Sequence, residues 1–365
     1  MRRLLAVFGL VTGAFAAQAQ TAPQAVASWL DREIAMAAKP LELGDCAAEW
    51  VLKITFTPSA PEMAALRERV SGHPDHPEQG LLAAYERRAR GEPDMIGRTL
   101  WLSSIDKLRF NSQYSEGYLD SVVTPRVTWS LSHTTLELGY TGSASEATSN
   151  IRAEAGSFRG ELPELLFGAI APISGAGMQL DGAVSVNGDR WSALFAREFD
   201  DGSRHAGRVS GTWDATAGRG FANDYTVTEA SRTPGNVGYR VEYDGWTFDD
   251  RLARWVAGEV RYFRPDGSLD RVLAYRGTNC ETSAAEATRV PTKRRPDPIR
   301  GSVDTRRVND HTGGRLASGQ YSRELVSIFD SGDHRSPWLR RLGWTSAASI
   351  AAAVVVFGIR RRMSP

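Results

Sequence analysis

From Thr99 onward the large apolar residues fall at every second position, and this period constrains the fold more than any other feature of the 365-residue chain. Successive side chains of a strand point to opposite faces, so alternation marks strands with one covered and one wetter face. "TLWLSS", "KLRFNSQY", "RVTWSLSH" and "TLELGY" follow one another at the spacing of an antiparallel meander. A short covering helix is predicted at Glu164–Ile170, with Pro163 at its start and Pro172 beyond its end. The alternation then resumes in "RWSALFARE", "HAGRVSGTW", "GFANDYTVTE", "GYRVEY", "RWVAGEVRYF" and "LDRVLAY". Between the last two, Arg264-Pro265-Asp266-Gly267 is a strong turn, because proline fixes φ and glycine permits φ > 0. Trp101, Trp129, Trp191 and Trp255 interrupt strands with polar neighbours and are expected to be buried.

Before the meander the period is helical. Val26–Ala38 aligns Val26, Trp29, Leu30, Ile34 and Ala37 on one face. "EWVLKITFT" is a strand; Ser59 and Glu62 have capping-box spacing and open a helix to Arg69, and a further helix is predicted from Glu78 to Arg90. The expected fold class is mainly β (α+β): a curved antiparallel sheet or open half-barrel with N-terminal helices and a covering helix. The N-terminal helices and first strand occupy residues 20–98 and the β domain 99–280.

The chain ends describe a location. Arg2 and Arg3, the apolar run Leu4–Ala16 and Ala17-Gln18-Ala19 form a signal peptide over residues 1–19. Residues 281–341 carry few large apolar side chains and read as a flexible polar stalk. Leu342–Ile359 is uncharged, and as a helix it spans roughly 27 Å, enough to cross a hydrocarbon core. Arg340, Arg341 and Trp344 flank it on one side and Arg360, Arg361 and Arg362 on the other, which leaves the orientation undecided by charge. The signal peptide decides it, so residues 360–365 are expected to form a cytoplasmic tail. The expected location is the cytoplasmic (inner) membrane, single-pass, with the ectodomain in the periplasm or outside. The lipid bilayer is the first partner. The last thirty or so residues also resemble bacterial C-terminal sorting signals, but no Pro-Glu-Pro or LPxTG-like motif precedes the span.

Lys plus Arg is 44 against 43 for Asp plus Glu, with no basic stripe, so a nucleic-acid partner is not expected. No nucleophile elbow, phosphate loop, dinucleotide fingerprint or zinc-protease motif occurs. His73 and His76 flank Asp75 on a proline-bounded turn without further ligands, and His133 and His205 fall in predicted strands. Asp200/Asp201 and Asp249/Asp250 read as solvated turns. No catalytic, metal or cofactor residue is assigned. Cys46 and Cys280 stand at the two borders of the domain in an oxidising compartment, where they form a disulfide or else serve as two separate buried thiols.

"KLRFNSQY", "RVTWSLSHTTLELG" and the closing "VAGEVRYFRPDGSLDRVLAY" resemble Lol-type outer-membrane lipoprotein carriers and their exported relatives over Trp101–Tyr275. The resemblance implies an open half-barrel whose inner, apolar face is covered by helices. A carrier crosses the periplasm freely, whereas a tethered chain does not, which argues against shuttling. Two classes of function remain. One is a tethered module that binds an apolar ligand (lipid, acyl chain or lipoprotein) or an envelope partner. The other is a structural or interaction protein of the envelope with a filled core, or a C-terminally sorted surface protein.

Overall fold

A computed structural model describes residues 21–289 apart from 74, 116, 126–127, 133–136 and 142–148, together with 297, 299 and 307–310. The expected signal peptide, transmembrane helix, flanking residues Arg340, Arg341, Trp344 and Arg360–Arg362, cytoplasmic tail and His133 lie outside these residues. Among the described residues no helix is long and apolar enough to cross a membrane.

Fifteen described strands build one sheet. Its first half holds β1 (Ala47–Ile54), β2 (Asp94–Ser104), β3 (Lys107–Tyr114), β4 (Gly117–Val123), β5 (Thr128–Ser132) and β6 (Glu137–Thr141). Its second half holds the short β7 (Gln179–Leu180) and β8 (Ser185–Asn187), then β9 (Arg190–Glu198), β10 (Arg204–Asp214) and β11 (Arg219–Ala230). A separate two-stranded ribbon, β13 (Thr247–Asp249) and β14 (Arg254–Val256), interrupts the series β12 (Arg240–Asp244), β15 (Glu259–Phe263) and β16 (Leu269–Asn279). The order runs β6-β5-β4-β3-β2-β1-β16-β15-β12-β11-β10-β9-β7. The chain thus folds as two meanders, joined where β1 pairs antiparallel with both β2 and β16. The two edges do not pair, so the sheet stays open.

Three helices cover the inner face: α1 (Ala22–Ala37), α4 (Ser149–Phe167) and α5 (Ile170–Ala176). Alternation sends Trp50, Leu52, Leu100, Leu108 and Phe110 inward, where Phe158 of α4 meets Trp50 and Phe110 with ring centres 5.3 and 5.1 Å apart. On the other half, Trp29 of α1 packs edge-on to Trp191 at 5.5 Å. A smaller hairpin, α2 (Ala60–Val70) and α3 (Gln79–Ala89), lies between β1 and β2 over its own core of Met63, Leu66, Val70 and Leu82. Ser59 and Glu62 close the predicted capping box at the start of α2.

Part of the outer face is covered as well. Arg109 of β3 is 1% exposed there, between the faces of Trp101 and Trp129 at 5.6 and 5.7 Å. Its Nε donates to Asp120 Oδ1 at 2.9 Å and its Nη1 to Asp297 Oδ2 at 2.7 Å. The two carboxylates outweigh the burial that acts against the charge and hold the guanidinium protonated. Trp129 and Trp191 are buried as expected, but Trp101 is half-buried because its ring roofs Arg109.

Several expectations are corrected. The short helix at Glu164–Ile170 is the end of the much longer α4, which contains Pro163 in its interior, followed by α5. Gly156, Gly160 and Ser157 lower the local helix propensity, and burial of Ile151, Ala155, Phe158, Leu162 and Leu165 along one face overrides it. β4 escapes the alternation rule because Asp120, Ser121 and Val122 are all buried. "RWVAGEVRYF" is two strands in different sheets: at Gly258 an added Cβ would stand 2.7 Å from the Gly245 carbonyl oxygen, and this close crossing divides β14 from β15. The segment after Cys280, read as stalk, begins with a helical turn, α6 (Ala284–Ala287), whose Ala284 and Ala287 are fully buried. Farther along, Arg307–Asp310 form β17, which pairs parallel with β6. At these residues the chain lies on the sheet.

Candidate functional site

Cys46 and Cys280 are joined by a disulfide across a sequence separation of 234 residues. The remaining residues weighed from sequence have structural surroundings. His76 accepts from the Glu78 N–H through Nδ1, and His205 shares a 3.3 Å contact with the Tyr225 hydroxyl. Asp201 takes hydrogen bonds from the Ser203 hydroxyl and N–H, reinforced by Arg232, and is held down at about 2. Asp249 accepts from the N–H groups of Arg251 and Leu252, the Tyr275 hydroxyl and Thr278. These bonds outweigh its partial burial and keep its carboxyl below the ordinary range. Among the described residues no cluster could hold a metal ion.

The underside of α4 is polar, which the sequence did not reveal. Glu154, Ser157, Glu161 and Glu164 recur at helical spacing and rest on the inner face of the sheet. Ser157 Oγ accepts from Arg98 Nη1 at 3.0 Å, and Glu161 Oε2 accepts from the Trp50 indole N–H at 2.8 Å. Glu164 Oε2 accepts from the hydroxyls of Tyr262 at 2.7 Å and Tyr243 at 3.2 Å. Burial drives the Glu164 carboxyl upward against these hydrogen bonds and the pull of Arg271. Burial, with the nearby Glu164, raises both tyrosines well above their ordinary value.

Between the end of α4, the middle of α1, β11 and the β13–β14 ribbon lies a cleft of about 410 Å³. Its walls are aromatic: Phe221 stands 5.2 Å from Trp246 and 5.3 Å from Trp255, and Trp255 stands 5.8 Å from Phe248, centre to centre. Trp246 is oriented by its indole N–H, which donates to Asn223 Oδ1 at 2.9 Å. Its ring lies so close to Gly168, at φ +57°, that an added Cβ there would come within 2.7 Å of it. Trp29, Leu166, Phe167 and Ile170 close the back, and Met36 stands at the rim. This position explains why Trp255 is half-buried rather than buried as expected.

Three charged residues line the cleft: Glu33, Arg219 and Arg254. The Arg254 guanidinium lies 4.1 Å from the Phe167 ring centre and that of Arg219 lies 4.4 Å from Trp255. Burial pulls Arg254 down and pushes Glu33 up, in each case against their mutual attraction. Ala253, at the turn of the ribbon, has φ 50° and is the one described non-glycine residue with positive φ, a backbone cost of the kind that collects at ligand sites. A lesser cleft of about 250 Å³ lies past the C-terminal end of α1, lined by Leu41, Leu102, Ile105 and Leu162 with Arg159 and Lys39.

These features define an open antiparallel sheet with a helix-filled inner face and an aromatic cleft at one end. No family model matches the chain, and no curated protein matches it in sequence. Similar solved structures include a DUF1329 family protein from Desulfovibrio piger, 9% identical with a TM-score of 0.35, the match covering 71% of this chain and 93% of that one. Another is a putative outer membrane lipoprotein-sorting protein domain from Vibrio parahaemolyticus, 8% identical with a TM-score of 0.26, covering 68% and 90%. The second belongs to the class that the strand sequences resemble. At these scores neither likeness carries an argument, and the fold stands on its own strand pairing.

Proposed function

We propose that this chain is an exported, membrane-tethered binding module whose β-rich ectodomain accepts an apolar ligand in the aromatic cleft. The observation that carries the reading is the cleft itself. At about 410 Å³ it falls within the roughly 300–1,000 Å³ of small-molecule sites. Phe221, Trp246, Phe248 and Trp255 offer ring faces where a surface loop would offer polar side chains. The alternative, a filled-core envelope protein, is favoured by the helices that pack the rest of the inner face, but it leaves this cleft without a role.

Export and tethering rest on the sequence: the basic-apolar-small N-terminus and the uncharged run Leu342–Ile359 between arginine clusters. Protease added to spheroplasts is expected to digest the chain from Gln20 to about Trp338 while leaving the tail protected. A full-length soluble species would overturn the tether. For the cleft, an apolar photoprobe is expected to label Met36, Phe248 or Trp255, and labelling confined to other surfaces would overturn it.

A further inference from the structure

We infer that the cleft selects an amphiphile with an anionic head, the head held by Arg219 and Arg254 and the chain by the aromatic walls; this rests on the reading of the cleft as an apolar site. The lining carries two positive charges and one negative, a net of one positive. Each arginine spends its guanidinium face on a ring, Phe167 for Arg254 and Trp255 for Arg219. A guanidinium stacked in this way keeps its N–H edge for a planar or tetrahedral anion. Nε of both arginines is already buried, with no hydrogen-bond partner among the described residues, which leaves the terminal Nη groups to meet an incoming head.

The apolar residues set the other half of the specificity. Trp246, Phe221, Trp255 and Phe248 follow one another with centres under 6 Å apart, a continuous apolar wall whose two middle rings, Phe221 and Trp255, also lie against Arg219. A free inorganic anion would satisfy the arginines and leave this wall in water, whereas a neutral lipid would displace water from the two guanidinium groups without giving them a charged acceptor. An acyl chain ending in a carboxylate or phosphate satisfies both. Glu33 opposes it, since its carboxylate shares the cleft with the incoming head.

The test uses the full chain in phosphatidylcholine nanodiscs and two probes, a diazirine-bearing decanoic acid and its methyl ester. At equal sub-saturating concentrations the acid is expected to label the cleft about tenfold more than the ester, the range of one charge-assisted contact. Arg219→Gln with Arg254→Gln should bring the acid down to the level of the ester. Glu33→Gln should raise acid labelling and leave the ester unchanged, which keeps the inference open to test if the arginine variant fails to fold. Equal labelling by acid and ester in the wild-type chain would overturn the head-group selection while leaving an apolar cleft. If neither probe labels the cleft, both the selection and the apolar-site reading fall.

Discussion

The guanidinium carbon of Arg254 lies 4.1 Å from the centre of the Phe167 ring, so a strand and the last residue of a helix meet through a cation on a π face. Such a contact contributes about 0.5–2 kcal/mol depending on desolvation. Phe167→Leu keeps the apolar volume and removes the π face. It is expected to lower stability by about 1–2 kcal/mol and to weaken labelling by the acid probe, as the unsupported guanidinium samples other rotamers. Chemical unfolding and the same photolabelling measure the two effects, and unchanged labelling would show that the stacking does not position Arg254.

Arg109 holds two buried carboxylates at once, Asp120 and Asp297. Arg109→Met is expected to cost about 3–5 kcal/mol, the loss typical when one partner of a buried pair is removed. Adding Asp120→Asn should recover part of that cost, and a double variant no more stable than the single one in urea would contradict the assignment.

The disulfide closes nearly the whole domain. The chain-entropy relation gives on the order of 5 kcal/mol for a loop this long, an upper figure because native strain subtracts from it. Replacing both Cys46 and Cys280 with serine should lower the urea midpoint accordingly. Labelling of both thiols in unreduced, denatured wild-type protein would show that the bond does not form.

Glu164 gives the fold a pH dependence of definite sign. Burial raises its folded-state value above the ordinary 4.5, so the folded protein binds the proton more tightly than the unfolded chain. Its stabilising contribution is complete below pH about 4.5 and is lost as pH rises through the folded value. Glu164→Gln should flatten this loss, with urea midpoints converging on the wild type near pH 4 and exceeding it at pH 7.5. Parallel pH profiles would assign the dependence elsewhere.

The strands were legible wherever one face is dry and the other wetter, as in Trp50-Val51-Leu52 or Trp191-Ser192-Ala193. Alternation failed where both faces are covered. The burial of Asp120 becomes intelligible only when Arg109, eleven positions earlier, is placed beside it across the β3–β4 hairpin. The sequence predicts only the end of α4, because its polar stripe Glu154, Ser157, Glu161, Glu164 points inward, the reverse of a solvated face. The cleft was not legible at all, since its walls come from four separated segments. Its trace in the sequence is slight: arginines beside aromatic residues, as in Arg219-Gly220-Phe221 and Arg254-Trp255.

Native mass spectrometry of residues 20–310, purified without detergent, tests the binding of an apolar ligand most directly. Met36, 42% exposed on α1 at the rim of the cleft, offers a control, because Met36→Trp fills the space from a position that tolerates bulk. The account predicts a co-purified apolar adduct on the wild-type protein that disappears in Met36→Trp. A folded wild-type protein without adduct, or an adduct that Met36→Trp leaves in place, would contradict it.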